Sequence, residues 1–167
     1  VRKWLDQPVE EEKIKTILKA AMNAPSAGNQ MPWEFIVVED KAILEELSNS
    51  SPYAKCVAHA PVAIVVVYRT DGLRFPDYAQ IDSAIAAENI LLAITDLGLG
   101  GVWLGIAPEE ERMEKVEKIL HLENKHAFAI IPFGYSDMTL DPNDKYDEES
   151  NYDHVNMTVN FGGMALG

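Results

Sequence analysis

Asn23-Ala24-Pro25-Ser26-Ala27-Gly28-Asn29-Gln30-Met31-Pro32 followed by Trp33-Glu34-Phe35-Ile36-Val37-Val38 is the stretch on which the fold reading turns. Two prolines and a cluster of small and amide residues cannot continue a helix, so residues 23–32 form a loop. The aromatic and β-branched run Trp33–Val38 that follows is expected to be a strand. Upstream, Ile14, Ile17, Leu18 and Ala21 recur at helical spacing behind acidic residues that suit a helix N-terminus, which predicts an amphipathic helix from Glu10 to Met22. Downstream, Asp40 stands where an N-cap would open a short helix through Leu47.

Further outward, Pro61–Tyr68 is a nearly unbroken Val/Ile run, expected in a sheet covered on both faces. Tyr78–Leu97 is rich in Ala, Ile and Leu with few charges. This predicts a helix buried around most of its circumference, against its own sheet and against a second copy of the chain. Gly98, Gly100 and Gly101 stop that helix, and Val102–Ile106 is expected to be a short strand. Pro108 opens a charged helix carrying Met113, Val116, Ile119 and Leu120 on one face, and Ala127–Phe133 is the last clear strand. Beyond Gly134 the chain is polar and acidic, which suits an arm laid over a neighbouring subunit. Interleaved helices and strands predict a sheet with helices on both faces.

The chain of 167 residues, 47% hydrophobic, is long enough for one core, so residues 1–167 are read as a single domain. Fourteen basic against 27 acidic residues give a formal charge of −13, which repels nucleic acid and anionic membrane surfaces. An anionic nucleotide would need a local cluster of cations and backbone N–H groups. The single cysteine, Cys56, excludes an internal disulfide and a Cys-x-x-Cys motif, and a reducing cytoplasm fits best. The longest apolar run, residues 60–68, is far shorter than the roughly 20 residues of a membrane helix. No secretory signal is expected. The chain opens on Val1 rather than Met, so residues upstream are expected. His59, His121, His126 and His154 have no ligand spacing, and no metal site is expected.

The loop at residues 25–33 is the most informative chemical feature. Small residues let backbone approach a ligand, Asn29 and Gln30 offer donors and acceptors to a heterocycle edge, and Pro32 restricts the geometry. The competing reading is an ordinary helix-to-strand turn.

Four segments in order resemble the nitroreductase family: Val1-Arg2-Lys3-Trp4, the run from Pro25 to Phe35, Gly98-Leu99-Gly100-Gly101-Val102-Trp103-Leu104-Gly105, and Lys145-Tyr146-Asp147-Glu148. The Ala-rich stretch from Asp82 to Leu92 is similar to a helix of the same family. The resemblance implies an α+β fold, a three-layer α-β-α sandwich with a mixed central sheet, working as a homodimer whose subunits share both sites through a C-terminal arm. It implies FMN as cofactor, NADH or NADPH as electron donor, and a small-molecule acceptor, nitroaromatic or quinone, in a ping-pong cycle.

Position by position, the resemblance assigns Arg2 to the pyrimidine edge of the flavin, where a cation favours the reduced state. It places Lys3 beside Arg2, assigns Ser26 and Asn29 to a flavin reached across the dimer interface, and counts Ala27 and Met31 among the cofactor-binding residues. Lys145 is assigned to the flavin phosphate. Trp103 and Leu104 are expected beneath the ring, with the Gly105 backbone N–H as the catalytic donor to flavin N5. A triplet such as Arg-Arg-Ser usually precedes the position of Val1 in the family. The family's second flavin-edge lysine has Lys55 as its nearest counterpart here. A non-catalytic FMN-binding or storage protein needs nearly the same residues. Dehalogenating and flavin-cleaving relatives commonly add lid segments, for which residues 68–77 are the short candidate.

Overall fold

The computed structural model describes residues 1–138 of the 167. In chain order the elements are α1 (Glu11–Met22), β1 (Trp33–Val38), α2 (Lys41–Leu47), β2 (Val62–Arg69), α3 (Ala79–Asp96), β3 (Gly100–Gly101), β4 (Leu104–Gly105), α4 (Glu110–Ile119) and β5 (Lys125–Gly134). Single 3-10 turns occur at Ala27–Asn29, Lys55–His59 and Pro76–Tyr78.

Local chemistry accounts for the helix boundaries. Asp40 caps α2 by accepting from the backbone N–H groups of Ala42 and Ile43 at 2.9 and 3.1 Å. Glu11 and Glu12 occupy the first turn of α1 and Lys19 its last, in the sense the helix dipole favours. At the end of α3, Gly98 adopts φ +74°, Leu99 N–H donates to Ile94 C=O, and Gly98 N–H donates to Thr95 C=O. That pair of bonds is a Schellman cap, and its left-handed residue favours glycine.

The strand order is β1-β2-β5-β3, with β4 also pairing with β5. Every pairing among the described residues is antiparallel, so the expectation of a mixed sheet is corrected for this part of the chain. Burial on both faces of β2, which reads as a parallel-sheet signature, arises here because helices cover an antiparallel strand. α3 packs on β1, β2, β3 and β5, and α1 packs on α3; α4 packs on β5, and α2 on α4. Phe133, Ile17, Leu44, Leu47, Ile64, Ile90 and Ile131 are fully buried in the core between these elements.

The strand expected over Val102–Ile106 is two short pieces on β5. Their registers, Gly101 opposite Phe133 and Leu104 opposite Ile130, belong to one continuous ladder. Val102 therefore faces Pro132, which has no N–H to return, and only the bond from Val102 N–H to Pro132 C=O survives there. α3 is buried along Ala79, Asp82, Ser83, Ala86, Ala87, Ile90 and Ile94, but Ile81 and Leu92 are 56% and 60% exposed. Within one chain, then, the helix is half covered rather than enclosed. Residues 135–138 lie along the N-terminal segment, with Leu5 N–H donating to Tyr135 C=O and Ser136 Oγ donating to Lys3 C=O. The rest of the expected arm lies outside the described residues.

Candidate functional site

Gly105 sits on the edge strand β4, opposite Ala129. The bonds from Val102 N–H to Pro132 C=O and from Ile106 N–H to Phe128 C=O put the hydrogen-bonded positions of this ladder at the even-numbered residues. The N–H and C=O of Gly105 therefore point away from β5, off the edge of the sheet. The carbonyl accepts from Arg112 Nη1 at 3.2 Å. Gly105 is exposed, its φ lies outside the left-handed region, and among the described residues no atom beyond its chain neighbours lies within 4 Å of where its Cβ would be. Neither backbone geometry nor packing among the described residues demands a glycine there. By contrast, a Cβ on Gly100 would lie 2.7 Å from the Val1 side chain, and one on Gly134 would lie 2.5 Å from Pro61.

Arg112 and Lys55 line one cleft of about 340 Å³ with Lys115, Glu109 and Glu111, a mixed-charge cleft that Arg112 links to the Gly105 edge. Arg112 lies over the Tyr53 ring, 5.6 Å from its centroid. Lys55 Nζ donates to Asn49 Oδ1 at 2.6 Å. Trp103 is edge-to-face with Phe128, with centroids 5.6 Å apart, and Leu104 is buried. Trp103 and Leu104 thus anchor Gly105 to the core.

The N-terminal segment joins the same side of the sheet. Val1 N donates to Gly101 C=O at 3.0 Å and Trp4 Nε1 to Gly100 C=O at 2.7 Å. These bonds hold the segment carrying Arg2 and Lys3, both exposed, with Arg2 near Cys56 of the Lys55–His59 turn. Burial pushes the Cys56 thiol above the ordinary thiol range, and the nearby Arg2 guanidinium opposes that shift.

Ser26, Ala27, Asn29 and Met31 lie elsewhere. Pro32 C=O accepts from Arg69 N–H, and Trp33 is opposite Tyr68, so the loop lies at the end of β1, on the other edge of the sheet from Gly105. Three strand spacings, about 14 Å, separate the two edges. Within one chain, the segment carrying Arg2 and Lys3 is tied to Gly100–Gly101, Lys55 lines a cleft with Arg112, which bonds Gly105, and Ser26–Met31 lie on the opposite edge of the sheet. Lys145 lies outside the described residues.

The amide of Gln30, expected to face a ligand, is engaged within the chain. Its Nε2 donates to Phe75 C=O and Asp82 Oδ2 at 2.9 and 2.8 Å, and its Oε1 accepts from Phe75 N–H at 3.0 Å. Sequence reasoning does not single out Arg69, Asp82 or Arg112. Asp82 is an acidic residue in an otherwise apolar helix, a signal that only its 2% exposure makes meaningful. His59 and His121 are exposed, and His126 Nδ1 is 2.9 Å from Glu117 Oε1. Among the described residues no three His, Cys, Asp or Glu side chains group as a metal site would require. No described helix is long and apolar enough to cross a membrane.

A family model described as the nitroreductase family matches residues 1–51 and 49–135. A protein of Methanothermobacter thermautotrophicus, provisionally named NADH dehydrogenase/NAD(P)H nitroreductase, is 43% identical over 136 residues, covering 81% of this chain and 71% of its own. A crystal structure from Bacteroides thetaiotaomicron with the same provisional name superposes with a TM-score of 0.86 at 43% identity, covering 93% of this chain and 90% of that one. An FMN-dependent nitroreductase of Clostridium difficile superposes with a TM-score of 0.84 at 32% identity, with 93% of each chain covered.

Proposed function

The chain belongs to the nitroreductase family, and from that premise we propose that it is an FMN-dependent oxidoreductase. It takes electrons from NADH or NADPH and passes them to a small organic acceptor such as a nitroaromatic or a quinone. The observation that carries this reading is Gly105, whose N–H points off the sheet edge and has no hydrogen-bond acceptor among the described residues. A flat ring can approach such a backbone closely, as it could not approach a residue with a side chain.

FMN, when bound, supplies a ring that accepts and releases two electrons. The chain's own groups orient and bias that ring. Gly105 N–H would donate to the reacting edge of the ring, and Arg112 holds the Gly105 carbonyl on the same edge of the strand. Arg2, with Lys3 beside it, places positive charge where reduction leaves negative charge. This offsets the long-range repulsion of a chain with net charge −13. Trp103 and Leu104 would back the strand beneath the ring, and Lys145 would neutralise the phosphate. Donor and acceptor occupy the same open side in turn, which makes the cycle ping-pong. Acceptor protons come from water or from the flavin itself, since the assigned residues include no obvious general acid.

The active form is a homodimer. Ser26, Ala27, Asn29 and Met31 lie on the opposite edge of the sheet from Gly105, so they serve the FMN of a second copy. The exposed Ile81 and Leu92 on α3, and the cleft of about 460 Å³ that Leu92 shares with Ala20 and Ala93 between α1 and α3, support a partner on that face.

The test is the visible spectrum of the purified protein, followed by stopped-flow mixing with NADH. The proposal expects a protein-held flavin, released by heat and identified as FMN by mass, that bleaches far faster than free FMN. Bound flavin that bleaches no faster than free FMN would make this a storage protein. No flavin uptake from excess FMN would remove the cofactor reading altogether.

A further inference from the structure

The loop assigned to the partner's flavin is bent into a conformation that its own residues disfavour. Asn29 and Met31 have φ of +54° and +44°, next to Gly28 at +55°. Neither is glycine, so each carries a steric cost that its surroundings must offset. A Cβ on Gly28 would lie 2.5 Å from the Phe75 ring, so a side chain there would have to displace that ring.

Four sets of bonds do the offsetting. The buried Asp82 carboxylate, in the first turn of α3, accepts from Ala27 N–H at 2.9 Å through one oxygen and from Gln30 Nε2 at 2.8 Å through the other. Gln30 is locked in orientation by a two-way pairing with the backbone of Phe75. Arg69 donates from both terminal nitrogens, to Gln30 C=O and Met31 C=O, at 2.6 Å each. Ser26 Oγ accepts from Met31 N–H at 2.9 Å. Two of these side chains, Asp82 and Arg69, lie outside the loop motif, on α3 and β2.

We infer that Asp82 is a positioning residue of the flavin site: through Ala27 and Gln30 its carboxylate sets the loop conformation that presents Asn29 to FMN. This rests on the FMN reading proposed above. Only a carboxylate satisfies the geometry, because two separate N–H donors approach its two oxygens and Gln30 cannot turn its amide without breaking both bonds to Phe75. Asp82→Asn keeps the shape and leaves one donor facing an NH2 group, so the loop is freed where Asn29 projects.

The experiment is a double-mutant cycle on the full-length chain, reading FMN dissociation constants by flavin fluorescence at a temperature where circular dichroism shows every variant folded. In the wild-type background, Asp82→Asn is expected to weaken FMN binding about ten-fold, the scale of one charge-assisted hydrogen bond. In an Asn29→Ala background the same change is expected to weaken it by less than about two-fold, because the group being positioned is gone. Equal losses in both backgrounds, or no loss in the first, overturn the inference, since a merely structural role would act regardless of Asn29. Should Asp82→Asn fail to fold, Gln30→Met removes the same link from the exposed side, and the same outcomes of the cycle support or overturn the inference. Absence of FMN binding by the wild-type chain overturns the flavin reading, and this inference with it. Normal wild-type binding with unaltered Asp82→Asn affinity overturns this inference alone.

Discussion

Gly105→Ala separates what the fold needs from what the proposed reaction needs. Among the described residues nothing beyond the chain neighbours lies within 4 Å of the added Cβ, and the residue is exposed at a strand edge. The substitution should therefore leave stability unchanged or raise it by about 0.4–1 kcal/mol, through the smaller entropy of the unfolded chain. A ring lying on that face must lift to clear the new methyl, which stands about 1.5 Å above Cα. A displacement of about 1 Å from reacting geometry costs about 100-fold in rate, and a lengthened hydrogen bond to the N–H forfeits about 0.5–1.5 kcal/mol of affinity. The expected result is a protein that melts at or above the wild-type temperature, binds FMN about three- to ten-fold more weakly, and is reduced by NADH about 100-fold more slowly. Gly101→Ala is the contrasting control, because its Cβ would press on Ile94 and Phe133 at 3.2 and 3.3 Å. That change should cost stability first. Denaturant melts and stopped-flow traces on both variants decide the matter: wild-type flavin reduction in Gly105→Ala would mean that no ring lies against this glycine, and a loss of stability greater than that of Gly101→Ala would mean that its Cβ space is filled.

Asp40→Ala should destabilise the protein by about 1 kcal/mol through loss of the α2 cap, visible as a lower urea midpoint with FMN affinity unchanged. Ile81→Asp with Leu92→Asp should convert a dimer into a monomer in sedimentation, because both side chains are exposed within one chain and lie on the same helix; a dimer surviving both changes would move the interface elsewhere. In FMN-free protein, Cys56 should react with iodoacetamide near neutral pH more slowly than a free cysteine, since burial raises its pKa and depletes the thiolate. Removing the opposing charge by Arg2→Ala should slow it further, and faster labelling would mean that Arg2 is not beside the thiol.

Much of the fold was legible because its signals are local. The apolar spacing of Ile14, Ile17 and Ala21, the cap at Asp40, the Val/Ile run of β2 and the glycine at the end of α3 each act within one element, and each element appears within a residue or two of its expected bounds. Strand direction was not legible, since a strand buried on both faces reads alike whether its neighbours run parallel or antiparallel. Nor was the break at Val102–Trp103, which depends on which residue of a distant strand lies opposite; that residue is Pro132.

The site divides the same way. Residue types at Ser26, Asn29 and Gly105, with the order of the four segments, were enough to point to a family and a chemistry. Sequence order could not reveal that Gln30 spends its amide on Phe75 and Asp82, because those partners are 45 and 52 residues away. It could not reveal that Arg112 holds the Gly105 carbonyl, or that the two groups of assigned residues stand on opposite edges of one sheet. Capping, periodicity and turn chemistry are properties of neighbouring residues, and the sequence alone determines them. Which polar group is already satisfied, and which backbone N–H is left facing open space, depends on contacts that exist only once the chain has closed on itself.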